Sequence, residues 1–189
     1  FTDALQQHWD DETKLFHDIS INGLIHDEKT GRPVGFKEPE LVKHFGYVSI
    51  FPLALRLLKP DDERLGHLIH NLRDETRGLW SPYGIRSLSK NDELFGKEEN
   101  YWRGKIWINI NFLTLKALYK YSSIAGPYQE KAKMVYDELR KNVINNIYEQ
   151  YRKGGFIYEN YNSENGRGAG CHPFTGWSSL VVLIMGERY

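Results

Sequence analysis

The sequence predicts an all-α chain of antiparallel helical hairpins, about half of an (α/α)6 toroid, on three observations. Six stretches carry helical periodicity. One-sided amphipathic stretches (first, third, fifth) alternate with stretches apolar on nearly every face (second, fourth, sixth). Short connections follow the apolar helices, and long aromatic-rich and glycine-rich connections precede them. Alternate connections of antiparallel hairpins lie at opposite ends. The three long loops should therefore gather at one end, above the N-termini of the apolar helices. The alternative is a self-contained six-helix bundle, but three helices without a polar face are too many for a small bundle to bury. A closed six-hairpin ring needs on the order of 300 residues, at roughly ten to fifteen per helix plus such loops. With 189 residues, this chain is one domain's length and half of such a ring.

The elements follow in order. Thr2–Phe16 reads as a helix with Leu5, Trp9 and Phe16 near one face, and Asp10, Asp11 and Glu12 as a solvated acidic run. An irregular stretch from His17 to His44 holds the turn and breaker signals Asn22-Gly23, Thr30-Gly31-Arg32-Pro33 and Glu38-Pro39. The second helix, Phe45–Leu58, is apolar nearly all round, with Pro52 either bending it or sitting in its first turn. Pro60-Asp61-Asp62 caps the third, whose Leu65, Leu68, Ile69 and Leu72 recur at i, i+3, i+4, i+7. A second long loop runs from Arg77 to about Lys105. The fourth helix, Ile106–Tyr121, is apolar on most faces and ends at Ala125-Gly126-Pro127. The fifth, Tyr128–Tyr151, buries the stripe Ala132, Val135, Tyr136, Leu139, Val143 and Ile147. A third long loop precedes the last helix, Trp177 to about Glu187.

Composition excludes several roles. The formal net charge is zero, so nothing electrostatic favours nucleic acid or an anionic membrane surface. Cys171 is the single cysteine, which rules out an internal disulfide and a cysteine metal site. No apolar run is long enough to span a bilayer, no signal peptide is present, and no metal or cofactor is expected. The chain opens on Phe1 rather than Met, which points to processing, a removed tag or a piece of something longer. Twelve tyrosines and five tryptophans suit carbohydrate recognition as well as a large core.

The candidate chemistry lies in the loops of the shared end. Glu159 stands between Tyr158 and Tyr161 in Tyr158-Glu-Asn-Tyr161, ahead of the glycine-rich Gly166–Gly170. A carboxylate among aromatics and amides suits sugar chemistry: rings stack on the pyranose, amides and arginines bond its hydroxyls, and the carboxylate handles a proton. Taken locally, Glu159 reads as a surface residue in a Tyr-rich turn, and it is the layout of the whole chain that reverses this. The second loop offers Tyr101 and Trp102 as a stacking platform and Arg103 as a planar fork of donors. For Trp102 a packed loop anchor is an equal reading from the lone residue. Tyr47 sits near the same rim, Trp177 closes the third loop, and His172 is read as structural. Tyr158, Asn160 and Tyr161 are placed to orient Glu159.

Phe45-Gly-Tyr-Val-Ser-Ile-Phe-Pro, Leu79-Trp-Ser-Pro-Tyr-Gly-Ile-Arg-Ser-Leu, Asn100-Tyr-Trp-Arg-Gly-Lys-Ile-Trp-Ile-Asn and Gly166-Arg-Gly-Ala-Gly-Cys-His-Pro-Phe-Thr-Gly-Trp-Ser-Ser-Leu resemble the processing α-glucosidase I family. These are the mannosyl-oligosaccharide glucosidases of the endoplasmic reticulum lumen, and the resemblance covers nearly the whole chain in order. It implies that residues 1–189 are the C-terminal part of an (α/α)6 glycoside hydrolase domain. The implied enzyme removes the terminal α-1,2-linked glucose of the N-glycan precursor with inversion. Glu159 would be the general base, and Tyr47, Tyr101, Trp102, Arg103, Tyr158, Tyr161 and Trp177 would bind the oligosaccharide. The family's general-acid motif, of the Gly-Leu-Asp-Asp-Tyr-Pro type, has no match here, so the acid and the rest of the ring are expected from missing sequence or a partner chain. The other readings are a non-catalytic carbohydrate-binding or assembly fragment and a trehalase-like or bacterial α-glucosidase relative.

Overall fold

The computed structural model describes residues 2–20 and 23–189; Phe1 and Asn22, the first half of the Asn22-Gly23 turn signal, lie outside them. Among the described residues are six α-helices: α1 (Thr2–Gln7), α2 (Tyr47–Ala54), α3 (Glu63–Arg73), α4 (Ile108–Ser122), α5 (Gln129–Gly154) and α6 (Val181–Met185). Helices α2, α4 and α6 lie side by side in that order, and α3 and α5 back them as a second layer.

The one-sided helices match their periodicity. The Asp62 carboxylate caps α3 by accepting from the Arg64 amide at 2.9 Å. Its four predicted apolar residues are all buried, as are the six on α5. The apolar helices are not covered all round by this chain. Val48 on α2 and Leu55 just past its end are exposed, and on α6 Val182, Leu183 and Met185 are exposed. Helix α4, flanked by both, buries Ile108, Leu115, Ala117 and Leu118. The open apolar faces therefore lie on the two outer members of the inner row.

Several expectations need correction. The chain is not all-α: ten short strands pair into five two-stranded sheets among the described residues, because the long loops satisfy their backbone by pairing with themselves. The Thr2–Phe16 helix stops at Gln7. Beyond it, Trp9–Asp10 pairs antiparallel with Leu15–Phe16, setting Trp9 opposite Phe16 with ring centroids 4.9 Å apart. Asp10 decides this. Its Oδ1 accepts from the Glu12 amide at 3.1 Å and its Oδ2 from the Thr13 hydroxyl at 3.0 Å, a local turn that competes with helix. Lys43 Nζ joins from a distant loop at 3.0 Å. Asp10 is thus not part of a solvated helix face. Finally, α2 stops at Ala54 with Pro52 inside it, beyond the first turn, and the last helix opens as a 3-10 turn, Trp177–Leu180.

Asp10 yields a pH prediction. Desolvation by itself raises its carboxyl, but the hydrogen bonds from Lys43, the Glu12 amide and Thr13 outweigh it and hold the group down at about 2, from an ordinary 3.8. A depressed carboxylate contributes stability above its unfolded value and loses it as pH falls through the folded one. Asp10→Asn should therefore cost up to about 2 kcal/mol at neutral pH, with the difference from wild type closing as pH falls from 4 to 2. Parallel melting curves with a constant gap would remove Asp10 from the account.

The long loops do meet at one end. Gly46 bridges to Leu88, Arg86 to Ile106, and Ile106 to Tyr161. Ile106 and Tyr161 exchange both backbone hydrogen bonds, at 2.8 and 3.0 Å. The bridges lie beside the N-termini of α2 and α4, so all three loops are laced together there.

Candidate active site

Glu159 is fixed through its backbone before its side chain is considered. Its amide donates to the Cys171 carbonyl at 3.0 Å. Its carbonyl accepts from Trp177 Nε1 at 2.7 Å and from the Ser178 hydroxyl at 3.3 Å. The next two residues, Asn160–Tyr161, pair antiparallel with Gly168–Ala169. The carboxylate is held at both oxygens: Oε1 accepts from the Tyr101 hydroxyl, and Oε2 from the Cys171 amide at 3.1 Å.

The second loop supplies the aromatic floor. A 3-10 turn, Asn100–Trp102, carries Tyr101 and Trp102 next to α4. Trp102 lies nearly parallel on Trp107, with centroids 4.0 Å apart and 17° between planes, yet it stays 46% exposed. One of its faces is packed, then, and part of its ring is open to a ligand. Trp107 is wholly buried and also meets Tyr101 edge-on at 4.7 Å and Trp177 at 5.7 Å.

The structure brings Tyr101, Trp102, Trp177 and Glu159 together, but it gives the other predicted residues different work. Tyr47 is buried. Its hydroxyl donates to the Ile85 carbonyl at 2.9 Å and accepts from the Trp107 amide at 3.0 Å, and burial pushes its ionisation well up. Tyr161 is fully buried, its hydroxyl pushed up to about 12 by desolvation. Tyr158 covers Gly168 and packs against Phe156 and His172, each with centroids 5.1 Å away. Arg103 turns to its own loop, bonding Glu98 at 2.8 Å and the Lys97 carbonyl at 3.2 Å. The Asn160 side chain, read as an orienter of Glu159, is buried, and among the described residues neither its Oδ1 nor its Nδ2 has a partner. No three His, Cys, Asp or Glu among the described residues converge as metal ligands would.

Sequence reading missed the supports. Trp107 was legible only as a core residue of an apolar helix. Asn111 offered a signal, an amide inside that helix. It is fully buried, accepts from the Ile85 amide at 2.8 Å and donates to the Trp107 carbonyl at 2.8 Å, locking loop to helix. The Cys171 amide is a backbone group and leaves no mark in sequence.

The site is thus a carboxylate held at both oxygens beside a partly open tryptophan, where the loops gather over helix N-termini. The chain belongs to glycosyl hydrolase family 63: the family's C-terminal domain matches residues 2–187. It is 48% identical over 183 residues to a Schizosaccharomyces pombe protein named "Probable mannosyl-oligosaccharide glucosidase", covering 96% of this chain and 21% of that protein. It is 40% identical to the mannosyl-oligosaccharide glucosidase of Saccharomyces cerevisiae, over 95% of this chain and 21% of the relative. The chain thus spans about a fifth of the length of these relatives. A solved family 63 mannosylglycerate hydrolase from Thermus thermophilus shares the fold, with a TM-score of 0.64 at 19% identity over 97% of this chain and 36% of that one.

Proposed function

We propose that this chain is the C-terminal part of the catalytic domain of an inverting mannosyl-oligosaccharide glucosidase, forming about half of an (α/α)6 toroid. In this reading the enzyme removes the terminal α-1,2-linked glucose of the glucosylated N-glycan precursor, in the endoplasmic reticulum lumen. Glu159 is the general base that deprotonates the attacking water. The general acid is an aspartate from outside these residues, and further helices cover the open faces of α2 and α6. The observation that carries the reading is Glu159 itself, fixed by Tyr101 and the Cys171 amide beside the open Trp102 ring. The relatives at 40–48% identity favour a glucoside over mannosylglycerate, whose hydrolase from Rubrobacter radiotolerans is 27% identical.

The test is the anomer released. With full-length protein and an α-1,2-glucosylated oligosaccharide, proton NMR in the first minutes should show β-glucose appearing before mutarotation. Early α-glucose would overturn inversion, and no glucose at all would overturn the substrate. Trp102 gives a second check. Trp102→Ala should weaken binding of a glucose-like inhibitor by about 1–3 kcal/mol, the value of a well-buried aromatic contact. Unchanged affinity would return the ring to packing on Trp107.

A further inference from the structure

We infer that Tyr101 is a positioning residue for the Glu159 carboxylate and not a stacking surface for sugar, so that the Asn100–Trp102 turn divides two tasks between adjacent residues. The inference rests on the reading of Glu159 as general base. Trp102 offers its open ring to the substrate, while Tyr101, on the same turn, reaches across to the third loop and donates its hydroxyl to Glu159 Oε1. A glutamate side chain has three rotatable bonds, and an exposed one samples many rotamers. A base must present one lone pair to one water. With Oε1 held by Tyr101 and Oε2 by the Cys171 amide, two of the roughly four lone-pair sites of a carboxylate are occupied. The rest point in fixed directions.

Tyr101 is 42% exposed, nearly as open as Trp102, so its hydroxyl bond and its ring contacts, not burial, distinguish its role. Its ring stands edge-on to Trp107 at 4.7 Å and to Trp102 at 6.2 Å, at 75° and 88°. The rigid Trp107 therefore sets where the hydroxyl goes, and the hydrogen bond to Glu159 raises the phenol's own ionisation, keeping the donor protonated. The turn couples two loops as well. A sugar settling on Trp102 presses on the element that aims the base.

The substitution that separates the tasks is Tyr101→Phe, which keeps the ring and removes only the donor. In full-length enzyme we expect kcat to fall about 10- to 100-fold, as for a small misplacement of a reacting group. KM should stay within about twofold and the melting temperature should be unchanged, because a lost orienting bond acts in the transition state. A stacking tyrosine would behave oppositely: Tyr101→Phe silent and Tyr101→Ala raised in KM, a result that overturns the inference. A double-mutant cycle decides further. If Tyr101 acts through Glu159, Tyr101→Phe should add almost nothing in a Glu159→Gln background, and independent losses that multiply would sink it. The two readings fail separately. Should Glu159→Gln turn over normally, the base assignment is wrong. Should it be inactive while Tyr101→Phe matches wild type, only the positioning role is wrong.

Discussion

Glu159→Gln is expected to leave the fold and substrate affinity intact and to lower kcat by at least about 10²-fold, the low end for a positioned proton-transfer group. The substitution is nearly isosteric, and the surroundings tolerate the amide. Its oxygen can take the place of Oε2 and accept from the Cys171 amide, while its nitrogen donates to a rotated Tyr101 hydroxyl. The backbone anchors from Trp177 and Ser178 do not involve the side chain. What is lost is the group that takes a proton from water. In an inverting glycosidase base and acid stand about 6.5–9.5 Å apart with that water between them, and no covalent glycosyl-enzyme forms. The measurement is kcat of the full-length variant, with folding checked by thermal melt. Turnover near wild type in a folded variant would move the base elsewhere and make Glu159 a residue of a Tyr-rich turn.

The sequence announced its helices better than its contacts, for a physical reason. The stripes of α3 and α5 are one-dimensional patterns, and burial followed them residue by residue. The gathering of loops at one end was legible too, because it depends only on which connections are long. Glu159, Tyr101 and Trp102 came together for that reason. Long-range partners were not legible. Asp10 looked helical, but its carboxylate took the Glu12 amide and the Thr13 hydroxyl, and Lys43, over thirty residues away, joined that turn. Tyr47 looked like a rim aromatic, but a buried hydroxyl must find partners, and it found the Ile85 carbonyl and the Trp107 amide. Arg103 looked like a sugar donor until Glu98, five residues back, took its guanidinium. The deciding partners are backbone groups, distant residues or side chains of the same irregular loop, and no periodic pattern marks any of them.

Gly170→Ala is expected to cost about 10²-fold in kcat, comparable to loss of the base itself, by moving Glu159 rather than removing it. Gly170 sits at φ +75°, and a Cβ placed there would lie 2.3 Å from Glu159 Oε2 and 2.8 Å from Asn160 Nδ2. Glu159 Oε2, the nearer neighbour, cannot yield without losing its own bond. Oε2 accepts from the Cys171 amide, the peptide immediately after Gly170, and the Cys171 carbonyl in turn holds the Glu159 amide. Asn160 lies in the short strand paired with Ala169. The 2.3 Å approach to Oε2 is relieved only by moving the carboxylate, which breaks the Cys171 bond that orients it. Backbone strain alone predicts something smaller, about 1–3 kcal/mol of stability for a non-glycine residue held in the left-handed region. Gly155 separates the two effects. Its φ is +79°, almost the same, but nothing lies within 4 Å of its would-be Cβ. Gly155→Ala should lower the melting temperature by a similar strain and leave kcat near wild type. Gly170→Ala should lower both. If the two variants lose stability alike and both keep full turnover, the close approach of Gly170 to Glu159 has no part in catalysis.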